Sequence, residues 1–109
     1  MLASIPKEAR TIMCASELYR IEGEQLLKLA NPAPDEAEQR FRSAIEISRG
    51  RGEKSLELRA ATSLARLLAK QGRREEARTM LAEIYNWFTE GFDTPDLKDA
   101  KALLEELAT

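Results

Sequence analysis

"LAKQGRREEARTMLAEIY", residues 68–85, decides the fold. An apolar run stops at Gly72, crosses four charged residues and turns apolar again at Ala77. From there Ala77, Met80, Leu81, Ile84, Tyr85 and Phe88 follow in alternating steps of three and one, the spacing of one helix face. Gly72 supplies a helix stop, and residues 73–76 read as the solvated first turn of the next helix. Two rods joined by so short a turn must pack antiparallel.

The same punctuation recurs in both directions. A first helix is expected over about residues 6–30, with Ile12, Ala15, Tyr19, Gly23, Leu26 and Leu27 on one stripe. "NPAPD" interrupts it, and Pro34, Asp35 and Glu36 suit the start of a second helix. That helix runs to about Arg49 with Ala37, Phe41, Ala44, Ile45 and Ser48 in register, and Gly50 or Gly52 ends it. A third, from about Glu53 to Gln71, turns Leu58, Ala61, Leu64, Ala65 and Leu68 inward. After the fourth helix, Thr94 is the expected N-cap and Pro95 the first residue of a fifth, whose stripe is Leu97, Ala100, Leu104 and Leu107. Glu24/Lys28, Glu36/Arg40 and Glu38/Arg42 stand four apart and read as outer-face ion pairs.

Composition agrees with an all-α chain. Five Gly and four Pro cluster between long runs rich in Ala, Leu, Glu and Arg. The 109 residues are one domain's worth. With 17 basic against 19 acidic residues, no bulk affinity for nucleic acid or anionic membrane is expected. "SRGRGEK", around Arg49, Arg51 and Lys54, has no interleaved aromatic residue and reads as a helix-ending loop. There is no histidine, which removes the usual general base and the commonest metal ligand. No catalytic residue, metal or cofactor is therefore expected, and an enzyme without histidine is a distant alternative. Cys14 is alone and reads as a small core residue. "MLASIPKEAR" lacks a signal-peptide apolar core, and no run approaches the roughly 20 apolar residues that span a bilayer, so the expected location is cytoplasmic.

The chain also repeats itself. Laying "LRAATSLARLLAKQGRREEARTMLAEIYNWFTEG" beside "SELYRIEGEQLLKLANPAPDEAEQRFRSAIEISRGR" aligns Ala65 with Gly23, Leu68 with Leu26, Ala77 with Ala37 and Leu81 with Phe41. Small residues at these points let paired helices approach, and the larger ones fill the space between. The spacings resemble those of tetratricopeptide repeats. The first copy departs from the motif by two extra turn residues and by Glu22 at a large apolar position. The second departs by Ala61 at the leading aromatic position and Ile84 at a small one, and neither copy has the terminal proline. The resemblance implies a right-handed α-solenoid fragment filling residues 1–109 as a single domain: one repeat over about 16–51, a second over about 58–91 and a capping helix over about 94–108.

"SLELRAATSLARLLAKQGRREEARTMLAEIYNWFTEGFDTPDLKDAKALLEEL", with "ELYRIEGEQLL" and "EAEQRFRSAIEISRGRG" upstream, also resembles the C-terminal tetratricopeptide segment of bacterial signalling regulators. In those proteins the segment follows an ATPase module fused to class III adenylate or guanylate cyclase or winged-helix domains. The chain itself contains no phosphate-binding Gly-rich loop, so the implied role is a scaffold for protein–protein interaction.

The repeat family lines its concave wall from the first helix of each repeat. Carried over, those positions are Glu17, Arg20, Glu24, Leu27 and Lys28, then Arg59, Thr62, Arg66, Ala69 and Lys70. The second set is basic with no acidic residue expected to neutralise it locally, which suits an acidic peptide or a neighbouring domain as partner. A second expectation is a homodimer formed through the end faces. Trp87 and Phe92 are its candidate interface residues, together with apolar surface at Ile5, Ile12 and Met13.

Overall fold

The computed structural model describes residues 15–91 and 93–108. They form five helices and, among the described residues, no strand: α1 Ala15–Leu27, α2 Pro34–Arg51, α3 Lys54–Lys70, α4 Arg74–Tyr85 and α5 Pro95–Leu107. The expected start of the first helix lies outside the described residues, as do Ile5, Ile12, Met13, Cys14 and Phe92.

Two turns hold the centre of the chain. Gly52 and Gly72 both take left-handed backbone, φ 71° and 80°. At each, the glycine N–H donates to the carbonyl three residues back, Arg49 or Ala69. The next residue, Glu53 or Arg73, donates to the carbonyl five back, Ser48 or Leu68, at 2.8 Å. This double bond pattern caps the orphan carbonyls of a helix end and demands a residue tolerant of positive φ. Gly52, not Gly50, terminates α2; Gly50 is helical and exposed. Pro34 and Pro95 open α2 and α5 as expected. Thr94 occupies the N-cap position of α5 with extended backbone, but its side chain makes no capping hydrogen bond.

α3 is the central rod. It packs against each of the other four helices, while α1 pairs with α2, and α4 with α5. Its sequence explains the position, since Leu58, Ala60, Ala61, Leu64, Ala65, Leu67 and Leu68 leave little of its surface polar, and all are buried. Phe41, Leu58, Leu64, Leu68 and Leu81 are the largest fully buried apolar side chains of the core.

The four small residues sit at helix contacts. Ala37, Ala65 and Ala77 are fully buried, and Gly23 lies against Phe41 so closely that a methyl group there would come within 2.6 Å of the ring. Glu22 is nine-tenths buried where the repeat pattern wants an apolar residue; Arg40 of α2 reaches its carboxylate at 3.8 Å. Arg40 therefore crosses to α1 instead of pairing with Glu36. Among the described residues Glu24 and Lys28 make no ion pair, whereas Glu38 and Arg42 do, at 2.8 Å. In α5, Leu103 is buried and Leu104 only partly so, a shift of the expected stripe by one residue.

Candidate functional site

α1, α3 and α5 share one groove. Three adjoining hollows mark it, of about 380 Å³ between α1 and α3, about 180 Å³ where α1, α3 and α5 meet, and about 330 Å³ among α3, α5 and the start of α4. Along α3, Arg59, Ser63, Arg66 and Lys70 follow at steps of four, three and four, which puts them on one face, and all four line the groove. Arg66 borders all three hollows.

Of the expected groove residues, Arg20, Glu24 and Lys28 line the α1 side, and Thr62 and Ala69 the α3 side. Thr62 is largely spent, since its hydroxyl donates to the Leu58 carbonyl at 2.8 Å.

One expectation is overturned: Arg59 has acidic neighbours. Its guanidinium clasps both carboxylate oxygens of Asp96 from α5, at 3.2 and 3.0 Å, and donates to Glu17 of α1 at 2.9 Å. Glu17 also accepts two bonds from Arg20, at 2.9 and 3.1 Å. Forked Arg–carboxylate bonds are the stronger kind of ion pair, and here they tie α1, α3 and α5 together. The carboxyl of Glu17 feels opposing effects: burial pushes its pKa up, and the bonds and charges of Arg20 and Arg59 outweigh that, holding it below its ordinary value. Arg59 is pushed up, first by its bond to Asp96. Its partners were hidden in the sequence because they lie 37 and 42 residues away.

The other end of the α3 stripe differs. Among the described residues, Arg66, Lys70 and Lys28 make no ion pair. Ser63 is only 4% exposed, and its hydroxyl has no hydrogen-bond partner among the described residues, although it lines two of the hollows. Of the buried side-chain polar atoms of the described residues, the oxygen of Gln25, on the α1 wall, is the one without a partner. Asp99 of α5 completes the rim. Ser63, Gln25, Asp96 and Asp99 were not anticipated. The clue for Ser63 was its place in the 59–63–66–70 stripe, and for Asp96 and Asp99 their places seven and four residues before Leu103, on the same face of α5.

The opposite side of the molecule carries Trp87. It is 57% exposed, edge-on to Phe88, with the Lys54 ammonium 5.4 Å from its ring centroid. Beside it a hollow of about 200 Å³ contains Glu57, a buried carboxylate held by Arg49 at 3.0 Å and Lys54 at 3.4 Å. Trp87 is thus not a core residue.

Among the described residues there is no group of three or more Cys, Asp or Glu side chains placed to hold a metal, and no helix is long and apolar enough to cross a membrane. Compared with family models, curated proteins and solved structures, the chain finds no match.

Proposed function

We propose that this chain is a non-catalytic protein–protein interaction module of the tetratricopeptide type, gripping an extended segment of a partner or of a neighbouring domain in the groove of α1, α3 and α5. The observation that carries the reading is the position of Arg66, a cation unpaired among the described residues and bordering every hollow of that groove. Alternate helices form the groove, as the resemblance to repeat scaffolds implies, and the small residues at 23, 37, 65 and 77 bring the rods close enough to make it. In a larger signalling regulator such a module would hold other domains or partners in place.

The test is to select peptides from a random displayed library against the whole chain and map the bound ones by backbone amide shifts. Shifts clustered on residues 20–28, 62–70 and 96–103 support the reading. Shifts confined to α2 and α4, or no peptide selected, contradict it.

A second reading is self-association through the face bearing Trp87, favoured by that side chain's exposure. Sedimentation across micromolar concentrations separates the two. A dimer lost in Trp87→Ala supports self-association, and a monomer throughout removes it.

A further inference from the structure

We propose that Trp87 and Glu90 form a second docking surface, which takes an arginine side chain from a segment of a partner protein. The guanidinium lies on the indole ring and donates to the Glu90 carboxylate. This surface faces away from the groove of α1, α3 and α5 and stands independently of it.

The ring is the first observation. Trp87 is 57% exposed and borders two hollows, one of about 200 Å³ that it shares with Lys54 and Glu57, and one of about 460 Å³ that it shares with Phe88, Glu90 and Leu97. On the side of the first it already holds a cation, since the Lys54 ammonium lies 5.4 Å from its centroid, inside the reach of about 6 Å over which an indole attracts positive charge. The second hollow has no Lys or Arg among its lining residues, so there the ring is open to a cation from outside.

Charge selects the occupant. Arg49 and Lys54 are both taken up by Glu57, at 3.0 and 3.4 Å. Glu83 on the first hollow and Glu90 on the second are exposed and make no ion pair among the described residues. The two hollows together set two cations, Arg49 and Lys54, against three carboxylates, Glu57, Glu83 and Glu90. A cation arriving at Glu90 meets an unspent carboxylate beside an aromatic surface, whereas an anion is repelled.

The lining chemistry then chooses among cations. Ser55, Thr89 and Thr94 bring hydroxyl groups to the second hollow, and their side chains make no hydrogen bond to the described residues. Hydroxyl oxygens accept N–H bonds, which a fully methylated ammonium does not offer. A guanidinium offers several N–H donors in one plane; the plane stacks on an indole while its edge meets a carboxylate, which the point charge of a lysine does not reproduce. Phe88 and Leu97 give the methylene stem of an arginine an apolar wall.

The test titrates a capped pentapeptide with two arginines among alanines into the full chain, against the same peptide with citrulline for arginine. Backbone amide shifts and the emission of Trp87 follow the binding. The arginine peptide should shift residues 87–91 and Leu97, and the citrulline peptide should bind at least about tenfold more weakly. Trp87→Ala should weaken the arginine peptide about tenfold, and Trp87→Leu as much, because leucine keeps apolar bulk and loses the ring. Glu90→Gln should weaken it about threefold. Glu105→Gln makes an equal charge change on the exposed side of α5 and should change nothing. Circular dichroism checks the fold of each variant, and Glu90→Gln gives an independent reading if a Trp87 variant unfolds. Equal affinity for the two peptides, full affinity in Trp87→Leu, or equal losses in Glu90→Gln and Glu105→Gln overturns the inference. So does sedimentation showing a dimer that Trp87→Ala dissolves, since a second copy then covers the ring. Shifts confined to residues 20–28 and 62–70 also overturn it, while leaving the groove reading in place.

Discussion

A methyl group on Gly23 would sit 2.6 to 3.0 Å from three carbons of the Phe41 ring, so the absent side chain of one residue sets how closely α1 approaches α2. Contacts under 3.0 Å require something to move, and Phe41 is fully buried. Replacing glycine with alanine inside a helix ordinarily gains about 0.5–1 kcal/mol. Overpacking a core ordinarily costs about 1–3 kcal/mol. The second effect should win: Gly23→Ala is expected to lower unfolding free energy in urea, and Phe41→Leu in the same chain should recover part of the loss. A more stable Gly23→Ala would show that the two helices do not touch there.

Gly50 offers the contrast. It is helical and exposed, and a methyl group there would meet nothing within 4 Å, so Gly50→Ala should stabilise by about 0.5–1 kcal/mol. Ala65→Leu and Ala77→Leu, at fully buried positions, should each cost about 1–3 kcal/mol in the same urea titration. Opposite signs at exposed and buried small residues are the expected pattern.

The acid limb of stability should come partly from Glu17 and Glu38. Glu38 is held low first by its bond from Arg73, against the effect of burial, with Arg42 helping. For Glu17 burial is the largest single effect and pushes upward, but Arg20 and Arg59 together outweigh it. A carboxylate whose folded pKa lies below its unfolded value contributes fully above the unfolded value, about 4.3, and loses that contribution as pH falls through the folded one. With no histidine to titrate, the melting temperature should be nearly flat from about pH 6 to 7. It should fall below about pH 4.5, and Glu17→Gln/Glu38→Gln should melt lower at neutral pH with a shallower acid fall. An acid limb identical in slope to the parent would remove these two groups from the account.

Trp87 is the sole tryptophan, so its fluorescence reports one site. At 57% exposure its emission should be red-shifted as in water and readily quenched by acrylamide at low protein concentration. A blue-shifted, protected signal under those conditions would mean that the α4 end folds back over the ring.

The helices and their ends were legible because their causes are local. Gly52, Gly72, Pro34 and Pro95 act within a few residues of themselves, and the stripes through Ala37, Phe41, Ala65 and Leu68 need only a period of 3.6. Charge partners were not. Arg40 stands four residues from Glu36 yet crosses to Glu22, and Arg59, two residues from Glu57, pairs instead with Asp96 of α5 and Glu17 of α1. Nothing in the spacing of residues 59 and 96 encodes their meeting; only the packing of α5 against α3 does. For the same reason Gln25 was invisible, since an orphaned polar atom exists only once its neighbours are in place.

The account depends most on α1, α3 and α5 bordering a single groove around Arg66. A nitroxide spin label on cysteine at position 66, with Cys14 changed to serine, tests that arrangement by paramagnetic broadening of backbone amides. Broadening should be strongest, beyond α3 itself, at residues 20–25 of α1 and 96–103 of α5, and weaker at the exposed faces of α2 and α4 around Arg42 and Arg78. Amides of α5 that stay sharp while those of α2 broaden would contradict it.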